Sequence, residues 1–226
     1  MNNVFFYYEL NIICLLLLFW IISRAVKDVD KQTGNILFIR TASVAAVILL
    51  LDVTLAFLAG KPGTGVYIMM NAMAVIRYSL SGVFVLQWFS YTLCVAGHRK
   101  VSTGTRFLYS VPAFFLIAGS VVSPWMNVFF TIQPGLNIRT RDSFYFVHRL
   151  IVFLYYFSAS VIAALSLTKS QNTVERSRLF TIITFIIIPL CSGFADLAVP
   201  VSENGVIAGT VSLLFVFSDI QILQIS

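Results

Sequence analysis

Seven long apolar runs, separated by short polar connections, dominate the chain. Each run is close to the ~20 residues that a helix needs to cross a bilayer. The runs lack the strict alternation of apolar and polar residues seen in membrane β-strands, so they predict helices. The predicted spans cover residues 4–23, 36–59, 66–96, 107–122, 143–167, 179–197 and 205–221. We therefore predict an all-α, polytopic membrane protein, a seven-transmembrane-helix bundle formed by one domain.

The connection between the fourth and fifth runs is the longest and has a different pattern. Two stretches rich in β-prone residues flank Pro134-Gly135, a dipeptide that is typical of turns. Ahead of the turn, apolar residues alternate along one face of a strand that can pack on the helix ends: Val128, Phe130 and Ile132. Two strands alone are only marginally stable in water. The pattern therefore predicts a β-hairpin lid over residues 127–141 that leans on the helices from outside.

Composition and charge place these helices in a lipid bilayer. The chain is 59% hydrophobic and 11% charged, whereas a soluble domain has about 25% charged residues. Nine Lys and Arg residues follow the first, third and fifth runs, against three after the second, fourth and sixth. Because positive loops stay in the cytoplasm, the N-terminus is predicted outside and the C-terminus inside. This topology explains the net charge of +6, so no nucleic-acid partner is indicated.

Sequence signatures exclude several kinds of site. No HExxH, GxSxG or CxxC motif and no phosphate-binding loop is present. Cys14, Cys94 and Cys191 lie singly in apolar runs, a pattern that indicates neither a disulfide framework nor a metal site. A retinal pigment needs a lysine in its last helix, and no lysine follows Lys169. We therefore expect no cofactor and no metal.

Ionisable residues inside the predicted spans are the candidates for a functional site, because charge in a bilayer is costly. Five helices each place one near the outer surface, and three polar residues share this layer: Glu9, Asp52, Arg77, Arg149 and Asp196, with Tyr67, Asn71 and His148. Two interpretations are open and can coexist. Arg77 and Arg149, with Asp52 nearby, line an outward-facing cavity for a small anionic or carbonyl-bearing ligand. Alternatively, the charges form a static network that holds the helices together.

Other polar and aromatic residues have simpler explanations. Arg40 and Asp219 fall near the cytoplasmic ends of their spans, where snorkelling or an ion pair accounts for them. Four aromatic residues are placed where interfacial anchors lie: Trp20, Trp88, Trp125 and Tyr145.

The last apolar run has the features of an output element. Gly205, Gly209 and Ser212 form a small-residue face on which helices approach closely. This face serves either a homodimer contact or packing on a neighbour in the same bundle. The helix turns amphipathic at Asp219, and Ile222 continues an apolar seam of coiled-coil spacing. The run is therefore either a connector to a cytoplasmic effector or a short tail after the last span.

The order and spacing of several segments resemble a known family. The family is the seven-helix N-terminal sensor region of bacterial GGDEF diguanylate cyclases and some histidine kinases. The similar segments are YYELNIICLLLL, Asp52, Asn71 with Trp88-Phe89-Ser90-Tyr91, SPWMNVFFTIQPGLNIRTRDSFYF and SLLFVFSDIQILQIS. The hairpin tip departs from the family, whose tips are rich in aromatic residues, asparagine and glycine, so the resemblance supplies no ligand.

The resemblance implies a sensor in a bacterial plasma membrane that signals through its seventh helix. It further implies a homodimer and a cytoplasmic GGDEF or kinase output domain. The chain contains no GGDEF motif, so we expect the sensor part alone, without enzymatic activity. Two rival functions remain open, a small transporter and a structural anchor for a partner. Seven-span sugar transporters consist of two three-helix repeats, and no such repeat is visible in the sequence.

Overall fold

Seven helices and one β-hairpin make up the described part of the computed structural model, which comprises residues 2–28, 33–97, 102–185, 187 and 210–218. In chain order they are α1 (Asn2–Asp28), α2 (Thr33–Leu58), α3 (Thr64–Val95), α4 (Thr103–Met126), β1 (Phe130–Gln133), β2 (Ile138–Arg141), α5 (Tyr145–Leu167), α6 (Thr173–Phe185) and α7 (210–218). The structure confirms a mostly helical chain with an antiparallel hairpin between α4 and α5.

Helices α1 to α5 are each long and apolar enough to cross a membrane. Their outward faces carry large apolar side chains, as contact with lipid tails requires: Leu16, Phe57, Ile68, Phe114 and Phe157 are all more than half exposed. The chain is therefore a multi-pass membrane protein. Much of the predicted spans 179–197 and 205–221 lies outside the described residues, so the count of seven spans stays a prediction.

The central helix is α3, which contacts α2, α4, α5, α6 and β1. Gly82 lets α4 approach closely, because a Cβ atom there would lie 3.2 Å from the Ala113 carbonyl oxygen. Trp88 stacks on Phe185 of α6 with a centroid distance of 3.7 Å. The prediction of an interfacial anchor is wrong for Trp88, which is 1% exposed, whereas Trp125 is 77% exposed. Trp88 is a core residue because the stretch of α3 around it packs between other helices.

Helix α4 continues through Pro112 with help from α5. Proline has no N–H group to donate within the helix. One residue further on, the Ala113 N–H donates to the Tyr155 hydroxyl at 3.2 Å. The same hydroxyl donates to the Tyr109 carbonyl, so it lies between two groups that a regular helix would join directly. Tyr155 thereby connects α5 to the middle of α4.

The hairpin pairs Phe130 with Arg141 and Ile132 with Arg139. In an antiparallel pair, directly opposed residues point to the same side of the sheet. The hairpin therefore has an inner face of two apolar and two arginine side chains. Phe130 and Ile132 are almost fully buried. The predicted hairpin is confirmed, and β1 contacts α3 and α4.

The loop of the hairpin is bound to the turn between α2 and α3. Asn137 has a left-handed backbone with φ of 48°, a conformation that asparagine tolerates better than most residues. Its carbonyl oxygen accepts a hydrogen bond from the Gly60 N–H at 3.3 Å. Its Nδ2 donates to the Lys61 carbonyl at 2.7 Å. We call the end of the bundle that carries these contacts the hairpin end.

The base of the hairpin packs on a glycine of α4, which provides a first test of the fold. A Cβ atom at Gly119 would lie 2.6 Å from two ring carbons of Phe129, a side chain with no exposed surface. Gly119→Ala is therefore expected to destabilise the protein by about 1–3 kcal/mol through overpacking. It should also accelerate hydrogen exchange across residues 127–141.

The matched control is Gly104→Ala in the first turn of the same helix, where a Cβ atom meets nothing within 4 Å. This substitution is expected to be neutral or to stabilise by up to ~1 kcal/mol, because alanine favours helices over glycine. Thermal unfolding in detergent and hydrogen exchange compare the two variants. Equal behaviour of both would contradict the packing of Phe129 on Gly119.

Candidate functional site

A buried ion pair between α2 and α3 forms the centre of the candidate site. Arg77 Nε donates to Asp52 Oδ1 at 2.9 Å, and Arg77 Nη2 donates to Asp52 Oδ2 at 3.3 Å. The guanidinium therefore binds the carboxylate in the bidentate geometry that makes such pairs strong. Both residues are 3% exposed. A charge buried to this degree is tolerated because it is paired.

A second arginine reaches the same carboxylate from the hairpin. Arg139 Nη1 lies 3.9 Å from Asp52 Oδ1. Its guanidinium carbon is 5.6 Å from the ring centre of Tyr78, and that of Arg77 is 4.8 Å from it. Asp52 and the Tyr78 ring are thus each shared by two guanidinium groups from different elements. Arginine over an aromatic face is a favourable arrangement.

A second guanidinium–tyrosine group adjoins the first. Arg149 Nε donates to the Tyr145 hydroxyl at 2.7 Å. The guanidinium carbons of Arg141 and Arg149 lie 4.8 and 5.2 Å from the Tyr145 ring centre. The rings of Tyr145 and Tyr78 meet edge to face at 6.4 Å. Together with Asp52, these side chains form what we call the arginine cluster: Arg77, Tyr78, Arg139, Arg141, Tyr145 and Arg149.

His148 joins α5 to α3 beside the arginine cluster. Its Nε2 lies 2.8 Å from Ser81 Oγ, and the Ser81 hydroxyl donates to the Tyr78 carbonyl. Because that hydroxyl has only one hydrogen, Nε2 is assigned as the donor in the His148–Ser81 bond. Ser81 is therefore not activated as a nucleophile by His148. The imidazole also packs edge-on against Tyr78 and Phe129, so its contacts are structural.

The structure brings four of the predicted site residues together and places others elsewhere. Asp52, Arg77, His148 and Arg149 lie at or beside the arginine cluster. Glu9 is exposed, and within the described residues it forms no ion pair. Asn71 donates to the Tyr67 carbonyl of its own helix turn at 3.0 Å. Several predicted positions lie outside the described residues: Asp196, Gly205, Gly209, Asp219 and Ile222.

The described part of α7 packs inside the bundle. The Phe217 ring stacks on Phe38 of α2 at 6.2 Å and meets Trp20 of α1 edge-on at 5.7 Å. The Ser212 hydroxyl donates to the Phe185 carbonyl of α6 at 3.2 Å, and Ser212 is 1% exposed. Ser212 therefore offers no exposed surface for the predicted homodimer contact. The homodimer itself stays a prediction.

Arg139 and Arg141 were missed as site residues because the sequence assigned them only to the outer loop. The missing information was the register of the hairpin. The four-residue loop 134–137 places Arg139 opposite Ile132 and Arg141 opposite Phe130. Once those two apolar residues are assigned to the inner face, their partners must lie there too. The alternation of apolar residues ahead of the turn identified the inner face of β1. The loop length was also needed to predict which residues of β2 share that face.

The arginine cluster is suited to binding oxyanions and carbonyl groups, which guanidinium groups recognise through paired hydrogen bonds. Among the described residues, no group of three or more His, Cys, Asp or Glu side chains is placed to hold a metal ion. The chain matches no protein-family model, and no curated protein matches it. The chain is thus established as a helical membrane protein with five candidate spans, and its family is not identified.

Proposed function

We propose that this chain is a membrane sensor domain that binds a small anionic or carbonyl-bearing ligand at the arginine cluster. The observation that carries the proposal is the convergence of arginines from α3, β2 and α5 at the hairpin end. Charged residues inside a membrane bundle are expensive and mark functional sites. The resemblance to the sensor regions of GGDEF and kinase proteins supports the same function.

The position of the arginine cluster favours a ligand that arrives from the hairpin side. Arg139 and Arg141 come from the hairpin, which covers the helix ends, and their side chains are partly exposed. The rings of Tyr78 and Tyr145 hold the guanidinium groups in place, so little ordering of side chains is needed on binding. In the proposed topology this side is extracytoplasmic, in a bacterial plasma membrane.

A chain of contacts supports transmission from the arginine cluster to α7. Trp88 of α3 stacks on the ring of Phe185 in α6. The carbonyl of the same Phe185 accepts the hydrogen bond from Ser212 of α7. A shift of α3 by an ångström or two, of the size common in switching transitions, therefore reaches α7 through one residue. In the proposal, α7 passes this shift to a cytoplasmic GGDEF or kinase domain in a homodimeric assembly.

Thermal-shift measurements on the purified protein test the ligand proposal. The probes are acetate, benzoate, succinate and inorganic phosphate, with benzamide as a neutral carbonyl compound. A ligand that binds only the folded state stabilises it by about 2.7 kcal/mol at a concentration of 100 Kd, which raises Tm measurably. We expect at least one probe to stabilise the wild type and to lose this effect in Arg149→Ala.

Arg176→Ala is the control, because Arg176 is an exposed arginine in the first turn of α6, at the start of that helix. It should retain the full response. If no probe stabilises the wild type, or if the response persists both in Arg149→Ala and in Arg139→Gln, ligand binding at the arginine cluster is wrong. The static-network interpretation then explains these charges.

A further inference from the structure

Asp52 holds its two arginines unequally. Arg77 uses both carboxylate oxygens at 2.9 and 3.3 Å, and its side chain is 4% exposed. Arg139 lies 3.9 Å from Oδ1, and its side chain is 20% exposed. A nitrogen–oxygen distance of 3.9 Å is beyond the range of a hydrogen bond, about 3.2 Å. The contact between Arg139 and Asp52 is therefore a looser electrostatic one.

The two ion pairs also differ in what their separation leaves behind. Moving Arg77 away from Asp52 would break a bidentate pair between two residues that are each 3% exposed, which is strongly unfavourable. Moving Arg139 away would leave Asp52 still paired with Arg77. Water reaches part of the Arg139 side chain, which is 20% exposed, while its Nη1 atom is buried beside Asp52. Arg139 is the member of this group whose partner can be exchanged.

We infer that Arg139 is the residue that takes the ligand, and that the ligand is a small monovalent carboxylate. This inference rests on the proposed function and specifies it. The ligand carboxylate binds the Arg139 guanidinium in bidentate geometry and replaces its contact with Asp52. The Asp52–Arg77 pair stays intact as a support.

The charge and chemistry around Arg139 select this class of ligand. A neutral carbonyl group is a weaker acceptor than the carboxylate it must replace, because hydrogen bonds between charged groups are stronger. A dianion would place its second negative charge close to Asp52, and like charges repel. The Tyr78 ring beside the guanidinium is fully buried, so it positions Arg139 and leaves the organic part of the ligand to lie on the exposed side. Benzoate is a monovalent carboxylate and meets both charge conditions.

Movement of Arg139 is coupled to the hairpin. The residue lies in β2, opposite Ile132, and the loop beyond it is held on the turn between α2 and α3 by Asn137. Exchange of Asp52 for a ligand therefore shifts β2 relative to α2 while the loop stays attached. Hydrogen exchange at residues 130–141 is expected to change on binding, before any change in α7.

The affinity for benzoate in Arg139 variants tests the inference. Arg139→Gln should weaken benzoate binding at least about tenfold, the loss expected for a charged hydrogen-bonded contact. Arg139→Lys keeps the charge but loses the paired donors of the guanidinium. Its affinity for benzoate should lie between those of the wild type and Arg139→Gln. Benzamide and the dianion phthalate should bind the wild type more weakly than benzoate. Without ligand, Arg139→Gln should keep its Tm within about 3 °C of the wild type, since Asp52 remains paired.

Each other outcome overturns the inference in a distinguishable way. If benzoate binds the wild type and Arg139→Gln equally but not Arg149→Ala, the ligand lies at another arginine and the proposed function stands. If phthalate or benzamide is preferred, the ligand class is wrong. If the Tm of Arg139→Gln without ligand falls well beyond this range, Arg139 is a structural residue. If no probe binds the wild type, both the inference and the proposed function are wrong.

Discussion

Asp52→Ala is expected to destabilise the protein by about 3–5 kcal/mol, the range found when one member of a buried ion pair is removed. Arg77 is 3% exposed. The substitution removes the carboxylate that binds its guanidinium through two hydrogen bonds. In a membrane bundle, few water molecules are available to solvate the Arg77 guanidinium once its carboxylate is removed. The loss is measured by unfolding the protein in mixed micelles while the fraction of a denaturing detergent is increased.

The double variant Asp52→Leu with Arg77→Met is the informative control. Replacing both members of a buried pair by apolar residues is often neutral or stabilising by 1–4 kcal/mol in other proteins, roughly the range expected for this variant. The double variant should therefore be much more stable than Asp52→Ala. The double variant should also still bind benzoate, because Arg139 remains and Asp52, which competes with benzoate for Arg139, is gone. Similar instability of the single and double variants would contradict the loss of the Asp52 carboxylate beside the buried Arg77 charge as the cause.

The helices and the hairpin could be predicted from the sequence because local pattern decides them. A run of apolar residues long enough to cross a bilayer has no stable alternative to a helix there. The hairpin followed from Pro134-Gly135 between two β-prone stretches, and β1 and β2 lie within the predicted limits. In both cases the residues that carry the signal are neighbours in the chain.

The partners of individual side chains were harder to predict because they depend on how elements meet. The depth of Asp52 and Arg77 suggested a charged layer, but not that they form a bidentate pair. Arg139 was missed because its direction depends on the hairpin register. Trp88 was misassigned because composition along α3 does not show which face is covered by α6. Each of these facts belongs to the packing of two elements rather than to one.

Ser212 illustrates the same limit for the homodimer. Small residues indicate close helix packing, and the sequence left open whether the neighbour is in the same subunit. The hydroxyl donates to Phe185 within the chain, so this residue serves the bundle. For Ser212 the acceptor identifies the neighbour as α6, because a buried hydroxyl needs an acceptor.

Trp88→Ala is expected to destabilise the protein by about 3–5 kcal/mol, as truncation of a fully buried tryptophan does. Trp88 is 1% exposed and stacks on Phe185 at 3.7 Å, with Tyr91 at 5.4 Å on its own helix. Lipid tails are as apolar as the side chain, so the loss comes from dispersion contacts and the cavity left behind rather than from hydration. The same denaturation in micelles measures it.

Trp125→Ala provides a control of the same chemistry, because Trp125 is 77% exposed. Its effect should stay within about 0.5 kcal/mol, as for other surface substitutions. Trp88→Ala should in addition accelerate hydrogen exchange in α7, since Phe185 both stacks on Trp88 and accepts the Ser212 hydrogen bond. If α7 exchanges at the same rate in both variants, the contact route from α3 to α7 is wrong even where the loss of stability is as large as expected. A loss no greater than that of Trp125→Ala would contradict the core position of Trp88 itself.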